Sequence, residues 1–299
     1  MKTMNRIAIE VLAGAFALAG SATAGEAPPE EAPPEIDVIW WGSSSTGMLK
    51  RGITRVLDAN GILKVNYGKH GTRLRVDHVS QALEKGDKKL YENTLSRMRM
   101  YAKKKKYDFG IFQLSGGIFW HPESGTHAEK IVDEICVAIK ESGTTPVIFT
   151  HWSRREPDRM REIAIAAARK HGGRVAFTNS AAAEVMAEKG DDYIGKGEGH
   201  AWPKGIYLWT CCMYASLTGK SPVGLPAPKG ALVDESGLPV DESSQVKGNP
   251  KEAKATSAKD KFTRADLLYL QTKAWEIYQK YNPLIEAPEG EEKKEEAKP

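Results

Sequence analysis

Four hydroxyl side chains in a row, Ser43-Ser44-Ser45-Thr46, stand between Gly42 and Gly47 and directly follow the apolar run from Ile36 to Trp41. A strand that ends in a small-residue turn and feeds a helix presents one side chain above the sheet edge. It also aims the helix's unpaired N–H groups and positive dipole end at whatever binds there. A hydroxyl in that turn is placed to act as a nucleophile, provided a base lies within reach. The sequence supplies one far downstream, His200, in Gly199-His200-Ala201-Trp202-Pro203. Acyl transfer is the chemistry such a pair performs: the imidazole takes the hydroxyl proton during attack and returns it to the leaving alcohol.

Both groups need a scaffold, and the chain alternates in a way that describes one. Short apolar runs fall at 36–41, 62–67, 107–113, 145–151 and 173–177, with helical patterns at 48–59, about 79–103, 126–142, 157–171, 179–189, 203–218 and 263–281. This rhythm predicts a doubly wound α/β fold with a mostly parallel sheet and helices on both faces. Residues 36–225 suit one domain. Residues 226–260, rich in Gly, Pro, Ser, Lys and Asp, read as a polar insertion. Residues 261–283 read as a last helix packing back on the domain, started by the capping-box-like Thr263-Arg264-Ala265-Asp266.

The two ends carry different signals. Residues 1–24 have a basic start (Lys2, Arg6), a short apolar stretch interrupted by Glu10, and Ala22-Thr23-Ala24 as a cleavage site. The expectation is a secretory signal and an exported, periplasmic or extracellular protein. Residues 25–35 form a Pro/Glu-rich tether and 284–299 a charged tail. The formal net charge is +4, and removal of two basic residues and one acidic one with the signal leaves +3. No basic stripe is interleaved with aromatics, so nucleic acid is not an expected partner; Lys103–Lys106 reads as a solvated helix end. The mature sequence has no run of about 20 apolar residues, so no membrane span is expected. Three cysteines, Cys136, Cys211 and Cys212, give neither a disulfide framework nor metal-site spacing and are expected to be buried free thiols.

Four segments together resemble the SGNH hydrolases, the GDSL-like lipase and esterase superfamily, over roughly Ile36 to Leu225 plus the final helix. They are Gly42-Ser43-Ser44-Ser45-Thr46; Gly71-Thr72-Arg73-Leu74, with His78 beyond it; Tyr107-Asp108-Phe109-Gly110-Ile111-Phe112-Gln113-Leu114-Ser115; and His200-Ala201-Trp202-Pro203-Lys204-Gly205-Ile206-Tyr207-Leu208. The resemblance implies a flavodoxin-like three-layer sandwich, Ser44 as nucleophile and His200 as base. It further implies an oxyanion hole from the N–H groups of Ser44 and Gly71 and the side-chain amide of Gln113, a glutamine where most of these enzymes carry asparagine.

Two departures stand out. The aspartate that the family places three residues before the histidine is Gly197 here, and Ser43 replaces the usual Asp or Asn. Glu198 is one candidate to orient His200, Asp191 or Asp192 another, and a Ser–His dyad without an acid is the third. Ser45 competes with Ser44 as nucleophile, and His78 reads as a structural donor. His121, His127 and His151 lack metal-site spacing, so neither a metal nor another cofactor is expected. Trp120, Trp152 and Trp202 are candidates for a platform under a sugar ring or acyl group, or for core packing. The expectation is an exported esterase acting on a small or carbohydrate-borne ester. Alternatives are an SGNH-fold binding protein that has lost turnover, for which Gly197 is the best support, and an envelope-associated scaffold.

Overall fold

The computed structural model describes residues 32–68, 79, 82, 85–115, 122–152, 156–195, 200–229, 231–234 and 261–287. Five strands, β1 (Glu35–Trp41), β2 (Lys64–Tyr67), β3 (Phe109–Leu114), β4 (Thr145–Thr150) and β5 (Arg174–Ala176), form one sheet in the order β2-β1-β3-β4-β5. Every pairing is parallel. This is the flavodoxin-like order: the chain moves outward from β1 to β2, then returns to the other side for β3 to β5, and ligands bind beyond the strand ends where the direction reverses.

The helices flanking the sheet are α1 (Ser44–Ile53, continued as a π-helical turn Thr54–Asp58), α2 (Lys88–Ala102), α3 (Pro122–Lys140), α4 (Pro157–His171), α5 (Thr178–Lys189), α6 (Pro203–Thr218) and α7 (Arg264–Glu286). Covered strands have little use for polar residues, and β3 is buried at all six positions. Pro157 and Pro203 start their helices at positions where a missing N–H costs nothing, and Gly172 and Gly219 end them with positive φ.

Three helix starts differ from the sequence reading, that of α3 at Pro122 rather than 126 among them. α1 begins at Ser44 rather than 48 because the hydroxyl run is a cap and first turn, not a free loop: the Ser43 side chain accepts from the Ser45 N–H. Val79 and Ala82 are helical, but the pattern read as one helix is interrupted: α2 begins at Lys88, after Gly86 takes a positive φ and Asp87 caps the Leu90 N–H. Within 226–260, Ala231, Leu232 and Val233 are buried, with Leu232 bridged to Phe262. Among the described residues, no helix is long and apolar enough to cross a membrane. All three cysteines are free and buried, and burial raises the Cys136 thiol to about 12.

Candidate active site

Trp41 ends β1 fully buried, and the chain turns through Gly42 into α1. A Cβ on Gly42 would lie 1.8 Å from Thr46 Oγ1 and 3.1 Å from Gln113 Cβ, so only glycine lets the strand end close on these two side chains. Ser43 is the cap and Ser44 the first helical residue, which leaves the Ser44 N–H among the first-turn donors that have no partner within the helix. Ser44 is exposed, whereas Ser45 and Thr46 are buried.

Ser44 Oγ lies 2.8 Å from His200 Nε2. At that distance the hydroxyl donates to the ring nitrogen when the ring proton sits on Nδ1. The structure thus brings the sequence-predicted nucleophile and base together across 156 positions and buries Ser45.

His200 is presented by a loop with a closed stem. Trp202 N–H donates to Ile194 O at 2.9 Å, and Gly195 pairs with Ala201 in an antiparallel bridge. Gly195 has φ +150°, and a Cβ there would lie 2.2 Å from the Trp152 ring; one on Gly205 would lie 2.5 Å from Ile194 O. Trp152, a candidate platform, is 1% exposed and packs edge-on against Trp209 at 5.8 Å. Its ring lies directly against Gly195 in the stem of that loop. Trp202 is half-buried at the cap of α6.

Gln113 is the polar exception on fully buried β3, and its amide is satisfied in an informative way. Its Oε1 accepts from Ser43 N–H at 3.2 Å, Ser43 Oγ at 2.8 Å and Thr46 Oγ1 at 2.8 Å. A hydroxyl can face either end of an amide, but a backbone N–H can face only the oxygen. The Ser43 N–H therefore fixes the flip, and the Gln113 NH2 points away from these three donors. Sequence reasoning placed Gln113 here but missed the Ser43 and Thr46 side chains that orient it. The available signal was their spacing, which places residues three apart on one side of a helix's first turn.

Among the described residues no carboxylate bonds His200 and no group of three His, Cys, Asp or Glu side chains is placed to hold a metal ion. Asp191 and Asp192 are exposed on a 3₁₀ turn, Asp191–Tyr193. His151 directly follows β4, packed at 5.4 Å against Trp209. Gly71, His78, Trp120, His121, Gly197 and Glu198 lie outside the described residues.

The fold and this site define a doubly wound α/β domain carrying a hydroxyl–imidazole pair at the carboxyl edge of its sheet. The sequence matches no family model and has no significantly similar curated protein. In structure the chain is similar to a DUF4886 family protein from Bacteroides uniformis, with 14% identity and TM-score 0.51 over 83% of this chain and 96% of that one. Weaker likenesses are to a candidate GDSL-like lipase from Parabacteroides merdae (13% identity, TM-score 0.42, 62% of this chain and 96% of that one) and a candidate SGNH hydrolase from Slackia heliotrinireducens (19%, 0.41, 61% and 99%). At these identities the likeness is one of fold.

Proposed function

We propose that this protein is a serine hydrolase that cleaves a carboxylic ester, with Ser44 as nucleophile and His200 as general base. The observation that carries this reading is the 2.8 Å contact between Ser44 Oγ and His200 Nε2 at the N-terminus of α1. Ser44 Oγ attacks the ester carbonyl carbon while its proton passes to His200 Nε2. The tetrahedral oxyanion collects donors from the Ser44 N–H, the Gln113 NH2 and the Gly71 N–H, each worth about 3 kcal/mol of barrier. Collapse expels the alkoxide, which takes the proton from His200; water then attacks the acyl-enzyme by the same route and frees Ser44.

Glu198 is the proposed orienting acid. Proposed substrates are small esters, carbohydrate O-acetyl groups among them, with Trp202 and Trp120 to flank them; Trp152 takes the core-packing role. The signal-like N-terminus supports an exported enzyme.

The test is reaction of the chain with a fluorophosphonate probe, mapped by peptide mass. Labelling at Ser44 that disappears in Ser44→Ala and His200→Ala supports the reading. Both side chains are exposed, so both variants should melt within about 0.5 kcal/mol of the parent. No labelling of the parent chain sinks the hydrolase and leaves a binding protein with an inert serine.

A further inference from the structure

The loop that presents His200 has two stems, and both are tied to one carboxylate on the last helix. Tyr193, directly before Ile194, donates its hydroxyl to Asp266 Oδ1. Lys204, in the first turn of α6, places Nζ 2.9 Å from Asp266 Oδ2, with both side chains 17% exposed. The Lys204 ammonium also lies 4.4 Å from the centre of the Tyr193 ring, so the stems touch each other as well as the carboxylate. Asp266 is itself held: its Oδ2 accepts from Thr263 N–H at 3.0 Å, and its own N–H donates to Thr263 Oγ1 at 3.0 Å. Burial would raise the Asp266 carboxyl, but hydrogen bonds from Tyr193, Thr263 and Lys204 outweigh it and hold the group below the ordinary carboxylate range.

We infer that Asp266 is a positioning residue for the base, gripping both stems of the His200 loop through Tyr193 and Lys204 so that Nε2 stays on Ser44. This rests on the hydrolase reading above. It adds a part that neither the hydroxyl turn nor the histidine segment contains, supplied from α7. A lone surface ion pair would carry little. Here a half-buried carboxylate takes donors from both stems at once, and the imidazole between them must hold its place to within about 0.5 Å for proton transfer.

The experiment measures the rate of fluorophosphonate labelling at Ser44 across pH 5 to 9 in the full-length chain. Variants are Asp266→Asn, Tyr193→Phe and Lys204→Met, with Lys204→Arg as the conservative rescue. Lys273→Met is the control for general loosening of α7, because Lys273 pairs with Glu188 at 2.6 Å and Glu276 at 3.2 Å rather than with Asp266. Expected is a tenfold or greater fall in labelling for Asp266→Asn at unchanged folded fraction. Its residual labelling should lose the pH profile of the parent chain and rise only with hydroxide. Lys204→Arg and Lys273→Met should retain the parent rate and profile. Parent-like kinetics in Asp266→Asn overturn the positioning role and leave the hydrolase intact. An equal loss in Lys273→Met also overturns it, by showing that any loosening of α7 suffices. If the parent chain is not labelled, the hydrolase reading fails and this role falls with it.

Discussion

At the scale of single residues, the Gln113 amide shows how chemistry depends on contacts that no local motif states. The resemblance singles out Gln113, but which end of its amide faces away from the hydroxyl turn is decided by a backbone N–H 70 positions away. Thr46 completes that arrangement, and removing its hydroxyl while keeping its shape isolates the effect. Thr46→Val should slow Ser44 labelling about tenfold, and Gln113→Ala about a hundredfold, against the 10²–10³ typical for losing an oxyanion donor outright. Thr46→Ser should restore the parent rate. A Thr46→Val chain that reacts like the parent would show that Ser43 alone fixes the amide.

Elements were legible in the sequence to different degrees, for physical reasons. The inner strands β3 and β4, buried on both faces, read as nearly unbroken apolar runs; all five strands were found to within about two residues, and α6 matched at both ends. The start of α1 was missed because serines and threonines serve equally as turn and as cap; only the Ser43–Ser45 contact separates the two. The stem of the His200 loop was not visible either, since it is one bridge and one hydrogen bond. Its packing gives a prediction at this scale. Gly195→Ala puts a Cβ into the Trp152 ring at a φ that L residues rarely adopt, and neither the ring nor the stem has free space. The variant should lose about 1–3 kcal/mol of stability by overpacking and nearly all Ser44 labelling. Retained labelling would mean that the loop holds His200 without this close approach.

For the whole molecule, ion pairs cross between elements that also share the hydrophobic core. Asp133 on α3 contacts Lys170 at 2.7 Å and His171 at 2.6 Å on α4, and Asp266 joins α7 to the His200 loop. Burial pushes both carboxyls up, but their partners bring them below the ordinary value of 3.8. A folded-state value below the unfolded one means the folded chain favours the ionised form. That stability is fully present above the unfolded value and is lost as pH falls through the lowered folded one. The melting temperature should therefore be flat near neutrality and drop below about pH 4. Asp266→Asn should cost about 1–2 kcal/mol at neutral pH, discounted for its part exposure, and shallow the acid limb. An unchanged acid limb would remove Asp266 from the account.

The separation between Ser44 and His200 also has a consequence in time. A ribosome adding about 5–20 residues per second makes the serine roughly 8–30 s before the histidine 156 positions later, and the carboxylate on α7 later still. On the hydrolase reading, the nascent chain during that interval holds an ordinary alcohol with no base to activate it. Reactivity at Ser44 would then report completed synthesis and assembly, and a chain stopped before its last helix would carry the serine without the means to hold its partner.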